Sequence, residues 1–381
     1  MEWDLVCERT SLRATAQSLF MVGVLAGSYL FGWLSDKMGR KVSFFISVVV
    51  MAVFGILSGL VPEYWSFTLM RMVVGASTSG VFLVAYVLAM EMVGPRYRVV
   101  AGTLCQYYYT AGYLVMAAVA FILNQDWHLL QVVLSLPCLL FLSYWWIVPE
   151  SVRWQMSTGK YEEAKAQIFK VAERNQVRLA EDRVERMLSQ ARREKEEAEQ
   201  KQTEKASLLD LFRHSRLRWR TLNLCFNWMV NSGTYYGLAL SASNLGGNPY
   251  YNYLISAAVE IPAYAFNLLV LNNPRVGRRL ALSGCMLFAG LVLTITIFIP
   301  RHQTWLLITL SMLGKLAITS SYGTVYIFSA ELFPTSVRNV GMGAASMSAR
   351  LGGIFCPYIN MLRSPVTIQI QSYNDFFFSP Q

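Results

Sequence analysis

Two charges stand where the sequence is otherwise apolar. Glu260 lies near the middle of the apolar run 251–271, and Arg350 near the middle of 340–362. A charged side chain at mid-bilayer costs about 2.5–3.5 kcal/mol on insertion scales, so such residues usually face a cavity and act on something there. Glu260 suits a cationic group and Arg350 an anionic one; the alternative is a static ion pair between the two. Pro262 removes a backbone donor just after Glu260 and predicts a local break. Aromatic residues are spaced to form faces beside these charges. Trp228, Asn231 and Tyr235 share a helix face at i, i+3, i+7, and Phe82 with Tyr86, and Tyr322 with Tyr326, do so at i, i+4. Gln106, Tyr109 and Tyr113 make a further stripe. Such faces attract a quaternary ammonium group by about 0.5–2 kcal/mol each; the alternative for any one of them is ordinary packing. Arg71 and Lys315 also fall inside apolar runs, nearer the outer ends, where snorkelling or inter-helix bonding suits them.

A second kind of charged feature sits at the edge of an apolar run. The stretch GWLSDKMGRK, residues 32–41, ends a hydrophobic segment in one acid and three bases, and a fainter copy, NPRVGRR, follows at 273–279. EMVGPRYR at 91–98 is echoed by ELFPTSVR at 331–338. Glu91 to Glu331 is an offset of 240, and Gly39 to Gly277 one of 238. Two echoes at nearly one offset indicate internal duplication, and parallel halves related by an axis along the membrane normal are a known architecture for membrane proteins.

The elements that must carry these residues are membrane helices. The chain is 54% hydrophobic and only 15% charged over 381 residues, against roughly 25% charged in soluble proteins. Ten apolar stretches approach the roughly 20 residues that cross a bilayer core: 16–34, 42–61, 67–90, 99–122, 128–148, 221–240, 251–271, 280–299, 305–330 and 340–362. Backbone amides in hydrocarbon must be satisfied within a helix or a closed barrel, and the alternation of barrel strands is absent. The expected fold is therefore an all-α membrane protein of two pseudo-symmetric bundles. Its parts are an extracellular remnant at 1–15, a five-span N-terminal bundle at 16–148, a cytoplasmic helical loop at 149–220, a five-span C-terminal bundle at 221–363 and a divergent tail at 364–381. Against a duplicated plan of twelve spans, the pattern predicts that the first and last are lacking.

The net charge of +10 would suggest nucleic acid in a soluble protein, but its placement argues against that partner. With the N-terminus outside, cytoplasmic segments hold 26 of the 33 Lys and Arg, and the short outer loops hold only Arg301. This is the positive-inside bias. No Cys/His spacing suits a metal, no nucleophile–base constellation suits catalysis, and no cofactor motif occurs. Five of the six cysteines lie within spans, where a small apolar side chain is the ordinary reading.

These residues resemble the major facilitator superfamily and, within it, the organic cation and carnitine transporter family of solute carriers. EWDLVCERTSL, GWLSDKMGRK, RMVVGAS, PESVRW with GKYEEAKAQI, SAAVEIPAY and AELFPTSVRNVGMG carry the resemblance, in order, as far as Leu362. It implies a major facilitator fold and transport of small organic cations or zwitterions, carnitine-, choline- or carcinine-like, by alternating access in the plasma membrane. The partners would be the small organic ion, membrane lipid and a coupling ion of unknown identity. The resemblance also implies an opening span, a large glycosylated outer loop in which Cys7 would find a disulfide partner, and a twelfth span. It sets Phe82, Tyr86, Gln106, Tyr109, Trp228, Asn231, Tyr235, Tyr322 and Tyr326 at or beside the family's pocket. Family members favouring simple cations carry an acid where this chain has Arg350, whereas carnitine-type and organic anion members carry arginine, so Glu260 with Arg350 suits a zwitterion. In a protein whose halves rock, Asp36 at a helix N-terminus, Arg40, Glu91 and Arg98 read as a conformational latch, with Gly32 and Gly39 allowing close approach and a tight turn; the alternative is a plain positive-inside anchor. The rival to transport is a truncated isoform or fragment that is inactive or inhibits the full-length transporter.

Overall fold

Long apolar runs closed by polar turns become helices, and a computed structural model shows how they are stopped and stacked. It describes residues 3, 5, 9–94, 97–123, 126–200, 209–242, 245–271, 277–300, 302–334 and 337–378; within these, side chains are described except at 98, 99, 195, 198–200, 271, 339 and beyond 361. Among the described residues there are helices and turns and no strand.

The N-terminal helices are α1 (Thr10–Met38), α2 (Arg40–Leu60), α3 (Tyr64–Met92), α4 (Arg98–Ile122), α5 (Trp127–Ser135) and α6 (Pro137–Leu140), the last continued by a 3-10 turn over Phe141–Trp146. Asp126 starts α5 by accepting from the Leu129 amide at 3.0 Å, an N-cap of the usual kind. Close approach of α1 to α3 depends on glycine: a Cβ at Gly23 or Gly27 would run into the α3 backbone at Met72 or Ala76.

The segment between the halves folds as α7 (Val152–Thr158), α8 (Tyr161–Arg174), α9 (Glu181–Gln200) and the short α10 (Asp210–Arg213). Ala164, Val184 and Leu188 form a small core there, with Ile168 and Phe169 packed around it. Lys165 links α8 to Glu181 and Glu185 of α9, both at 2.8 Å. These two carboxylates raise the Lys165 pKa, and the lysine in turn lowers that of Glu181.

The second half runs α11 (Ser215–Ser241), α12 (Pro249–Ala258), α13 (Glu260–Leu271), α14 (Gly277–Ile295), α15 (Thr304–Leu332) and α16 (Arg338–Phe378). The expected break before Pro262 is present as the α12–α13 junction at Val259. In each half one hairpin repeats: α2 packs on α3 as α14 packs on α15.

Among the described residues, seven helices or helix pairs are long and apolar enough to cross a membrane by length and composition: α1, α2, α3, Trp127–Trp146, Pro249–Val270, Gly277–Phe298 and α15. The other three expected spans are α4, α11 and α16. These are the helices that carry Gln106 with four nearby tyrosines, Asn231 with Tyr235, and Arg350. Polar residues kept inside a bundle reduce a helix's mean hydropathy while serving a cavity. Helix α16 continues to Phe378, past the expected end of its span at 362.

The halves meet through α1 with α16 and through α4 with α12 and α13. Their contacts lie between mid-membrane and the end where α1 starts, the outer end by charge placement. Ser18 donates to the Ile354 carbonyl at 2.7 Å; Thr15 and Tyr358 share a hydrogen bond of 3.1 Å; Tyr113 stacks on Tyr253 at 4.8 Å.

Candidate functional site

The helix break that Pro262 favours places Glu260 at the first turn of α13, inside the protein, fully buried. Four groups on four helices converge on its carboxylate. Tyr235 of α11 donates to Oε1 at 2.7 Å. Lys315 of α15 pairs with the same oxygen at 3.1 Å. Thr110 of α4 donates to Oε2 at 3.3 Å and Tyr264 at 3.5 Å. Lys315 also donates to Ser256 Oγ at 2.6 Å and lies over the rings of Tyr113 and Tyr235 at 5.3 and 5.6 Å. The stronger bonds fall on Oε1, so Oε2, facing Thr110 of the other half, keeps acceptor capacity in reserve.

Arg350 lies beyond an aromatic wall. Tyr235 stacks on Tyr322 with ring centroids 6.0 Å apart. Tyr322, Tyr326 and Tyr236 surround the Arg350 guanidinium. Arg350 Nε is buried without an acceptor. An acid and a guanidinium thus sit on either side of one wall of tyrosines, groups of opposite charge suited to the two poles of a small organic ion.

The residues singled out from spacing divide by location. Glu260, Tyr235, Tyr322, Tyr326 and Arg350 come together. Tyr109 stacks on Tyr113 at 6.4 Å along α4, on the face that meets Tyr253 and Tyr235. Trp228 and Asn231 are fully buried inside the second half: Trp228 donates to Ser329 Oγ at 2.9 Å and packs with Leu282 and Val325, and Asn231 reaches Met286. Trp228 still touches the wall from behind, 4.3 Å from the Tyr326 ring. Phe82 and Tyr86 stack at 6.2 Å and remain exposed, and Gln106 is exposed on α4. Glu260 pairs with Lys315, not with Arg350 as in the alternative of a static ion pair between those two. Lys315 is 1% exposed, so it turns inward instead of snorkelling. Its run position gave its depth but not its rotation, and only the four-helix arrangement reveals the partner.

At the end that charge placement assigns to the cytoplasm, the knot is an ion-pair chain. Arg40 pairs with Asp36 at 2.8 Å and with Glu91 at 3.4 Å. Asp36 belongs to the last turn of α1 and is largely exposed, so the expectation that it caps a helix N-terminus is corrected. Glu150 does so instead. Its carboxylate accepts from the amides of Arg40 at 2.9 Å, Lys41 at 3.2 Å and Ser151 at 2.9 Å, at the positive end of α2. Trp154 adds an indole bond to the Asp36 carbonyl at 2.9 Å. Gly39 is required at this turn: its φ is 103°, and a Cβ there would collide with the Glu150 carboxylate. Gly32 is not so constrained, since the nearest atom to a Cβ there is Leu83 Cδ2 at 3.9 Å. The Arg98 side chain lies outside the described residues, as do residues 273–276 of the second knot. The rest of that knot repeats the first: Gly277 has φ 65°, and Arg278 pairs with Glu331 at 3.1 Å.

A cavity of about 970 Å³ opens at the outer end between α1, α3 and the second half. A smaller one of about 20 Å³ shares Ser241, Leu245, Thr296 and Ser311 with it and is closed by Ser256 and Lys315.

Comparisons with known proteins agree with this architecture. The family model described as "Sugar (and other) transporter" matches residues 6–379. The chain is 51% identical over 362 residues to the "Organic cation transporter protein" of Drosophila melanogaster, covering 95% of this chain and 66% of that protein. It is 35% identical over 365 residues to the "Solute carrier family 22 member 15-like" protein of Xenopus laevis, covering 95% of this chain and 73% of that protein. It is 34% identical over 359 residues to the "Organic cation/carnitine transporter 2" of Homo sapiens, covering 94% and 63% respectively. The chain spans about two thirds of the length of these relatives. Among solved structures it superposes on the proton:xylose symporter XylE with a TM-score of 0.70 at 18% identity, over 95% of this chain and 81% of that one. The inward-open form of XylE from E. coli matches with a TM-score of 0.68 at 16% identity, over 92% and 79%. At such identities the likeness concerns the fold alone. The family and fold expected from the motifs are thus confirmed: the chain belongs to the sugar (and other) transporter family of the major facilitator superfamily, in its organic cation and carnitine branch, a family of multi-pass membrane transporters and not of enzymes.

Proposed function

We propose that the protein moves small organic cations or zwitterions across the plasma membrane by alternating access, with the ion held between Glu260 and Arg350. The observation that carries this reading is the buried carboxylate itself. Glu260 is fully buried at mid-span, where a charge is retained only at considerable energetic cost, and its Oε2 edge lies on the boundary between the two halves, opposite Thr110. A substrate ammonium at that edge would compete with Lys315 for the acid, and the Tyr235–Tyr322 wall would supply ring faces for its methyl groups. Arg350, with an unmatched Nε donor, suits a carboxylate on the same molecule. Carnitine-, choline- and carcinine-like heads fit this description in that order, because only the first presents both charges.

The latch reading rests on the same geometry. Arg40–Glu91 and Arg278–Glu331 tie cytoplasmic helix ends within each half, so each half would move as a unit. Uptake of labelled carnitine and choline into cells expressing the protein tests the proposal. Glu260→Gln should lower uptake of both, and Arg350→Ala should lower carnitine uptake at least tenfold while sparing choline, as expected for loss of a charge-assisted bond worth about 1.5–3 kcal/mol. Equal loss of both substrates in Arg350→Ala at normal surface expression would refute the assignment of the two poles.

A further inference from the structure

Lys315 meets, inside the second half, the same kinds of group that recognise an organic cation. Its ammonium pairs with Glu260 Oε1 at 3.1 Å and lies over the rings of Tyr113 and Tyr235 at 5.3 and 5.6 Å. A carboxylate with aromatic faces beside it is a set that attracts a substituted ammonium. The lysine is 1% exposed and the glutamate 0%, so these contacts are made within the packed protein. Packing alone gives no reason for a lysine at this depth. A buried ion pair is often no more stabilising than apolar side chains of the same volume.

The ammonium also has a second seat. Ser256 Oγ accepts from Lys315 Nζ at 2.6 Å, a shorter contact than the one to the acid. Ser256 belongs to α12 and Glu260 to α13, so the helix break separates the two acceptors. Beside Ser256 lies a space of about 20 Å³ lined by Thr296, Ser311 and Lys315 itself, among others, all from the second half. It has room for one water. Ser311 stands four residues before Lys315 on α15, and residues at that spacing share a helix face.

We infer that Lys315 is a tethered cation, holding Glu260 while the site is empty and moving onto Ser256 when an organic cation takes the acid. Its three donors then find the Ser256 hydroxyl and, in the adjoining space, Ser311 and a water. Two consequences follow. The acid is open to a substrate only for the fraction of time that the lysine leaves it, so apparent affinity is lowered by that fraction. The empty site is a neutral pair instead of a lone buried carboxylate, which would be strongly destabilising. The unloaded protein can therefore reorient, and net transport does not depend on exchange of one cation for another. The inference for flux rests on the transport reading above; the competition for Glu260 does not.

The test uses the full chain in nanodiscs of phosphatidylglycerol, whose headgroup carries no ammonium, titrated calorimetrically with choline. Lys315→Met removes the competitor and should tighten choline binding about fivefold or more, and Lys315→Arg, which keeps a cation, should reverse the gain. A merely structural lysine would give the opposite sign, since its loss would loosen the site and weaken choline. Ser256→Ala removes the second seat and should weaken choline about fivefold. Choline should also raise the melting temperature of Lys315→Met by more than it raises that of the unmodified protein. In proteoliposomes the unmodified protein should show both net choline uptake and choline exchange, whereas Lys315→Met should keep exchange and lose net uptake at least about tenfold. Unchanged or weaker binding in Lys315→Met, no stabilisation of that variant by choline, no effect of Ser256→Ala, or net uptake and exchange falling together would overturn the tether. Opposite binding effects of the two substitutions, with no flux in the unmodified protein, would count against the transport reading and leave the competition at Glu260 standing.

Discussion

The Glu260–Lys315 pair allows a quantitative test of whether the centre of this protein is held by coupled charges. Replacing Lys315 by Met leaves the carboxylate with Tyr235 at 2.7 Å and two longer donors, Thr110 at 3.3 Å and Tyr264 at 3.5 Å. Replacing Glu260 by Gln leaves the ammonium with Ser256 at 2.6 Å and two ring faces beyond 5 Å. Each orphaned charge thus keeps one strong hydrogen bond, worth about 1.5–3 kcal/mol, and some weaker support. Breaking a buried pair by removing one partner costs about 3–5 kcal/mol. The retained bonds place both single substitutions near the lower end, about 3 kcal/mol each. The double variant carries no buried charge, so its loss should be no greater than that of either single one, giving a coupling energy of about 3 kcal/mol.

At roughly 2 °C per kcal/mol for a chain of this size, each single variant should melt about 6 °C below the parent and the double variant at or above the singles. Cys138 and Cys356 are buried and free, so a thiol-reactive fluorophore reports the unfolding directly. Additive losses in the double variant, near 12 °C on the same scale, would refute the pairing and the convergence of α11, α13 and α15 on one point.

Two further outcomes follow from the cytoplasmic knot. Glu150→Gln keeps one acceptor but removes the charge at the start of α2, a loss of about 1 kcal/mol, which hydrogen exchange should register as roughly fivefold weaker protection of the amides of Arg40 and Lys41. Gly39→Ala forces a Cβ into the φ of 103° and against Glu150, whereas Gly32→Ala meets only Leu83 at 3.9 Å; the first should lower the melting temperature by several degrees and the second should leave it unchanged.

What the sequence made legible was what depends on neighbours along the chain. Apolar runs predicted the helices, Pro262 predicted a break beside Glu260, and the echoed knots placed Gly39 and Gly277 at matching turns at an offset of 238. What stayed hidden depends on rotation and on distant contacts. Lys315 is one side chain on a 29-residue helix, and spacing alone does not say which flank of that helix meets α13. Glu150 lies 110 residues from the amide it caps; its proximity to the start of α2 is a tertiary fact. The Trp228–Asn231–Tyr235 stripe was read as one face, yet only Tyr235 reaches the acid. Trp228 and Tyr235 lie about 10 Å apart along the helix, and the neighbours differ with depth: Trp228 and Asn231 meet α14 and α15, whereas Tyr235 meets Glu260.

The distribution of contacts also bears on how the proposed cycle could run. Among the described residues the ion pairs of the knots lie within each half, and the contacts between halves include the Ser18 and Thr15 hydrogen bonds, the Tyr113–Tyr253 stack and the Thr110–Glu260 bond. At about 0.5–1.5 kcal/mol net for each hydrogen bond and each ring pair, these four contribute roughly 2–6 kcal/mol to the contact between halves, to which the Tyr107–Tyr264 and Phe121–Tyr250 ring pairs and Lys315 over Tyr113 add. Micromolar binding corresponds to about 8 kcal/mol, so a substrate needs to direct only part of its binding energy to the outward-facing state to offset these four. The Thr110–Glu260 contact is the one among the four that the substrate would itself replace. An ammonium arriving at Oε2 would therefore remove an outer closure contact in the act of binding, which couples occupancy of the site to the opening of the halves without any additional device.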